Sequence, residues 1–512
     1  MANLEKLFPE YWDVSDIKNG KPMSGDLIPN WVYGDLVCQI SSSYGCLNGR
    51  EGERLTHMAD ALGAVMNFHF KQGQVSAYAS YYNTLSYKIW EFYQFDMCAS
   101  KVAWTTKFSP YHADAAERWD ANHPHSYSTI NPNLNFMKLG KHTVAVSEVP
   151  QSGVALQLPD LNKFINLQLD TGNWLFNDTV LRLLNQPAQA SNPDSSELLW
   201  TTTSAYEPGT GRTYQIIYTV TKQLEVNVEG VYNFGKFYEQ KCDLEGQYFG
   251  DKRELPSYVH SMISTDHYVI IPLCSSLANL CPQPITTEND HVMVPPRSQF
   301  SGNQPMRFLL FHKPTNQFLP ILHSNSSRWI SHIVNAYEVE SKIYVDAFSY
   351  DNMSLYKEYL FLDYLKNQKF PAAVRISRFS LDTITHRVSE ESLLYESHKA
   401  MEFPCINPNY AGRKYQYFYA IQHPFGLGSS IIKYGFSSKS ITTVFNPGDS
   451  VILSDPVFVP RQDAIYEDDG VLLSRGVDLL TESTQVFIIS SPTMQLLGKV
   501  ELKNFVTPLG FH

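Results

Sequence analysis

The chain has 512 residues, 43% hydrophobic and 18% charged, with a formal net charge of −11. That apolar content excludes a mainly disordered chain. The acidic balance, with no basic run, gives no reason to expect a nucleic-acid partner.

From the N-terminus onward, Met1 to Lys6 shows no basic region ahead of an apolar stretch, so no secretory signal is expected. Residues 89–95 are aromatic enough to form an apolar docking patch, but the favoured reading is a buried strand. Strand-like runs follow at 142–149, 213–221, 224–234, 268–273, 307–312, 342–350, 373–381, 430–436 and 486–491. In one of them Leu224, Val226 and Val228 alternate with Glu225, Asn227 and Glu229, the period of a half-buried strand. Two segments read as helices: 354–365, carrying Leu355, Tyr359, Leu362 and Tyr364, and more weakly 160–167. The most apolar window, 268–280, is broken by Ser275, Ser276 and Asn279 and is too short to span a bilayer. Many short strands, few helices and no low-complexity linker predict one large all-β domain over 1–512, a propeller or a double sandwich. Seven cysteines without a CxxC pair argue against a disulfide framework and suit a reducing, cytoplasmic setting.

No GxSxG elbow, Walker loop, HExxH pair or dinucleotide fingerprint is present. What remains are histidines and acids in short distinctive phrases. His260 follows Pro256-Ser-Tyr-Val, His332 precedes Ile333-Val-Asn-Ala, and His512 is the last residue. Taken alone, each of them reads as an ordinary hydrogen-bonded core or surface histidine. Glu148, Glu402 and Glu467 stand beside strand or turn contexts. Each is either a solvated turn acid or a carboxylate that orients a metal-bound imidazole through its far N–H.

These phrases together resemble the carotenoid cleavage oxygenase family, which includes animal carotene oxygenases and the retinoid isomerohydrolase. The resemblance runs from about Ile28 to His512. It includes Ile28-Pro-Asn-Trp-Val-Tyr-Gly34, then His57-Met-Ala-Asp60 through Phe68 to Gly73. The longest stretches are 401–420 (MEFPCINPNYAGRKYQYFYA) and 455–474 (DPVFVPRQDAIYEDDGVLLS). It implies a seven-bladed β-propeller with a small helical cap over one face, and Fe(II) held by four histidines of which three are backed by glutamates. Carried over, His260, His332 and His512 match three ligands, and Glu148, Glu402 and Glu467 match the backing carboxylates. The implied activity is cleavage of a conjugated double bond in an apolar polyene, a carotenoid or apocarotenoid, by O2 to give aldehydes. The alternatives are a catalytically impaired carotenoid or retinoid binder and a retinyl-ester isomerohydrolase.

Three departures from the family pattern stand out. No histidine occurs between His142 and His260, where the first ligand is expected. Asn192 stands in that place, with Asp194 or a water as other donors. Three imidazoles with open positions still suit non-haem Fe(II). The Pro-Asp-Pro-Cys-Lys phrase of the vertebrate members' membrane-facing segment is missing, which leaves peripheral membrane contact as an option only. Finally, Asp60-Ala61 replaces the usual Asp-Gly.

Overall fold

The computed structural model describes residues 3–83 and 257–511, with breaks at 46–54, 56, 258, 279–297, 369–373 and 397–399. Between these two parts it describes Tyr87, Trp90, Glu91 and strands and single residues from 135 to 241. Among the described residues the protein is built of antiparallel sheets with few and short helices.

The first sheet orders Lys21–Pro22, Gln74–Tyr81, Leu62–Lys71 and Gly34–Ser43. Its central hairpin turns on Gln72 and Gly73, both at positive φ (53° and 75°). That is the turn whose twist suits a two-residue hairpin. Two four-stranded sheets follow, one from Asn135–Leu139 to Phe164–Gln168 and one from Ser195–Trp200 to Lys236–Lys241. A five-stranded sheet centres on Tyr268–Leu273 and Arg307–His312. Next come Trp329–Val339, Lys342–Tyr350, Val374–Asp382 and Val388–Glu396 in one sheet, then Met401–Cys405, Tyr417–Gln422, Ser430–Gly435 and Ser440–Phe445 in another. The last sheet holds Val451–Leu453, Val457–Pro460, Gly470–Asp478, Ser483–Ser490 and Leu496–Leu502. Ser24–Gly25 from the N-terminal region joins it beside Leu496–Leu502. The N-terminal stretch therefore pairs with both the first and the last sheet, tying the chain's two ends together.

One continuous apolar cluster runs from Leu7 to Phe511. A smaller one, Val65, Tyr82, Ala145, Leu156 and Leu161, joins the first sheet to its neighbour. Polar ties also cross between sheets. Asp346, fully buried, accepts from Arg378 Nε and one Nη at 2.7 and 2.8 Å and from the Tyr415 hydroxyl at 2.8 Å.

Three local expectations change. Of residues 160–167, those from Phe164 onward are not helical: Phe164–Gln168 is a strand whose Phe164 pairs with Leu156, so hairpin pairing overrides the local spacing. Within 89–95, Trp90 is buried as expected, but it and Glu91 are helical, with Tyr87 one turn away and its ring 5.6 Å from Trp90. The helix at 354–365 divides into a π turn, Leu355–Tyr359, and an α turn, Leu362–Lys366. Between them Phe361 is extended and packs edge-on against His57 at 4.8 Å. Ala61 has φ −64°, a conformation alanine adopts without strain, so glycine is not needed there.

Candidate metal centre

His332 lies in Trp329–Val339, the strand that opens its sheet. The pairing slips between Ile330 and Ile333, so His332 falls in a bulge that frees it from the ladder. Glu402 lies in Met401–Cys405, which opens the next sheet, and again the register slips, between Glu402 and Cys405. Phe403 takes φ 59° within that slip. Two neighbouring bulges thus turn an imidazole and a carboxylate toward each other. His332 Nδ1 is 2.7 Å from Glu402 Oε2. A carboxylate can only accept, so Nδ1 carries the proton and the ring's lone pair lies on Nε2.

Glu402 is 2% exposed. Its other oxygen, Oε1, accepts the Tyr350 hydroxyl, which also faces the Met401 carbonyl at 3.3 Å. Burial, and then the Glu402 charge, push the Tyr350 hydroxyl well above its ordinary range, so it remains a donor.

His260 stands against His332 with ring centroids 5.2 Å apart and planes at 78°. Its position is set next door, where the Ser261 hydroxyl accepts the Ile333 N–H at 3.1 Å. From His332 an aromatic row leads through Phe403 (5.6 Å) and Phe425 (5.4 Å) to Phe511 (5.9 Å). Phe511 directly precedes His512 in the chain. His512, Glu148 and Asn192 lie outside the described residues. Among the described residues no group of three or more histidine, cysteine or acidic side chains forms a metal cage. The imidazole pair backed by Glu402 is what they bring together.

Glu467 is placed elsewhere. Its oxygens accept the Gln416 N–H (2.8 Å to each) and the Tyr417 N–H (2.9 Å), and among the described residues it meets no imidazole. Burial, against these hydrogen bonds, raises its carboxyl above the ordinary range. Asp455, at the head of the same phrase, has neighbours on several sheets. It is in electrostatic reach of Cys38, Cys405 and Arg475, which lie on strands of three sheets.

Comparison with known proteins agrees with this architecture. Residues 21–512 match the family described as RPE65, retinal pigment epithelial membrane protein. The chain belongs to the RPE65/carotenoid oxygenase family. Among its relatives, the human beta,beta-carotene 15,15'-dioxygenase is 22% identical over 87% of this chain and 83% of its own length. The Fusarium fujikuroi torulene dioxygenase is 25% identical over 50% of this chain. That match spans about half of the relative (49%). The Synechocystis apocarotenoid oxygenase superposes with a TM-score of 0.70 at 16% identity, covering 99% of this chain and 97% of that one. The mostly-β architecture is thus the β-propeller type of this carotenoid oxygenase family.

Within this family member, sequence reading missed Tyr350 and Asp455. Tyr350 carries no local signal, because a tyrosine closing an apolar strand looks like core. Asp455 has one: it opens the quoted phrase and precedes a proline. No helix of the described residues is long and apolar enough to cross a membrane.

Proposed function

We propose that the protein is a non-haem Fe(II) oxygenase that cleaves a conjugated double bond of a carotenoid or apocarotenoid with O2, giving aldehydes. The observation that carries this reading is the Glu402–His332 contact of 2.7 Å with His260 beside it. Two imidazoles, one held through Nδ1 by a carboxylate, suit Fe(II). Iron, when bound, supplies the redox chemistry with O2. The chain's own residues do the rest. His260, His332 and His512 hold the metal, with Asn192 beside them in the first ligand's place. Glu148 and Glu402 orient imidazoles, and Asp455, not Glu467, takes the third carboxylate's place. Phe403, Phe425 and Phe511 give the imidazole pair an apolar flank, the surface a polyene needs and water disfavours. Among the described residues, the seven sheets of four or more strands are read as seven blades.

The test is metal content and product together. Protein loaded anaerobically with Fe(II) is expected to hold about one iron per chain and, with O2, to convert a carotenoid into two shorter carbonyl products. Iron without cleavage would favour the binding-only reading. An isomerised alcohol from a retinyl ester would identify an isomerohydrolase. Absence of bound iron would overturn the metal assignment.

A further inference from the structure

Arg475 sits in the middle of Gly470–Asp478 and is 3% exposed. Burying a guanidinium is costly unless its donors and its charge are met. One Nη donates to the Pro508 carbonyl at 3.1 Å, and Cys38 is a second polar neighbour. Cys38 does not supply the counter-charge: burial pushes its thiol up to about 12, so it is neutral at pH 7. Among the described residues, the carboxylate that acts on Arg475 is Asp455. The Ser454 N–H, next to Asp455, donates to the Arg475 carbonyl at 2.7 Å, which keeps the two side by side.

An apolar side chain would fill this strand position at lower cost, so the arginine needs a task, and its Pro508 partner suggests one. Residues 507–511 run between the first and last sheets. The Thr507 N–H donates to the Thr484 hydroxyl at 3.0 Å. The Leu509 carbonyl accepts the Ser41 N–H at 2.9 Å. Gly510 lies so close to the first sheet that a Cβ would come 1.8 Å from the Gln39 carbonyl oxygen. Phe511 then ends the aromatic row that starts at His332. Proline has no N–H to contribute, so Pro508 is held through its carbonyl, by Arg475.

We propose that Arg475 is a positioning residue: by clamping the Pro508 carbonyl and balancing Asp455, it fixes the course of residues 507–511, the segment that leads into His512. This rests on His512 being a metal ligand, as read above.

The test uses full-length Arg475→Met and Arg475→Lys chains, each titrated anaerobically with Co(II), with amide hydrogen exchange measured in parallel. Methionine fills space without donors or charge, whereas lysine keeps the charge on a single donor nitrogen. The visible Co(II) bands report loss of a nitrogen ligand, which a purely structural role would not change. Expected for Arg475→Met are exchange protection lost at 507–511 only, changed Co(II) bands, and affinity down about 10–100-fold. Arg475→Lys should recover part of each. Wild-type protection and spectrum in Arg475→Met would overturn the proposal. So would protection lost over the whole chain, which would make Arg475 a general core residue. Gly510→Ala, which displaces the same segment without touching the arginine, should reproduce the Arg475→Met spectrum. If it alone changed the spectrum, the segment would matter but Arg475 would not be its holder. If the wild-type chain bound no Co(II), the metal reading would fail separately, and exchange at 507–511 would still decide whether Arg475 is the clamp.

Discussion

Glu402 and Glu467 stand in successive sheet regions, and both are partly or wholly buried, but different donors hold them. Glu402 is gripped by side chains, the His332 imidazole on one oxygen and the Tyr350 hydroxyl on the other. Glu467 is gripped by the backbone at Gln416 and Tyr417. The acids beside Glu467 also have partners other than an imidazole. Asp468 meets Lys433 at 2.6 Å, and Asp469 takes the Ile465 and Tyr466 N–H groups at 2.9 and 3.2 Å. The whole Glu467-Asp-Asp-Gly470 phrase therefore braces a loop. The Glu467 carboxylate is turned to backbone N–H groups, whereas the bulge at Glu402 turns its carboxylate to the imidazole.

The largest expected effect lies on the Glu402 side. His332→Ala is expected to abolish bound iron, measured as metal per chain after anaerobic loading. Glu402→Gln should keep a folded chain but weaken metal affinity by about 10–100-fold, because its amide cannot both accept from Nδ1 and repeat the charge. Full iron occupancy in His332→Ala would remove that residue from the ligand set.

Tyr350→Phe comes next. It leaves Glu402 Oε1 buried without its hydroxyl donor, at a cost of about 1–3 kcal/mol in unfolding free energy. Metal affinity should fall less than in Glu402→Gln, since the Nδ1 contact survives. Equal stability of variant and wild type in urea would mean that water replaces the hydroxyl and that Tyr350 does not hold the carboxylate.

Glu467→Gln should act the other way round. It should cost about 1 kcal/mol by weakening the backbone contacts while leaving metal content unchanged. Loss of metal with unchanged stability would restore Glu467 to the centre and collapse the contrast with Glu402.

The residues show why one acid was legible and the other misleading. Strands such as Tyr268–Leu273, Arg307–His312 and Lys342–Tyr350 begin and end where their apolar runs do, because side-chain alternation and turn residues are local properties. The His332–Glu402 pair was reached only through family resemblance, since 70 residues separate the two and register slips bring them together. Glu467 is held by the Gln416 and Tyr417 backbone instead of an imidazole among the described residues, and the phrase around it does not show which of its acids faces inward. That depends on strand register, where one residue's slip reverses the face. Tyr350 and Arg475 were invisible for the opposite reason: their partners, Glu402 and Pro508, are contributed by other sheets and the C-terminal segment.

The smallest effect concerns the thiols of this same interior. Burial pushes Cys38, Cys274 and Cys405 up to about 12, whereas a thiol in the unfolded chain titrates near 8.5. Between those values the folded chain keeps protons that the unfolded chain releases, so unfolding free energy must fall as pH rises. Below about pH 7.5 the contribution is flat. From pH 8 to 9 each buried thiol should account for a loss of about 0.7 kcal/mol. Cys274 is the cleanest probe, because its sulfur accepts the Ile330 N–H at 3.3 Å, two residues from His332, with no arginine acting on it. Cys274→Ala lowers stability at every pH by removing that contact, but it should also shrink the drop between pH 8 and 9 by about one thiol's share. The level and the slope are therefore separable. An unchanged slope would mean that Cys274 titrates like an exposed thiol, and that water reaches the base of the strand carrying His332.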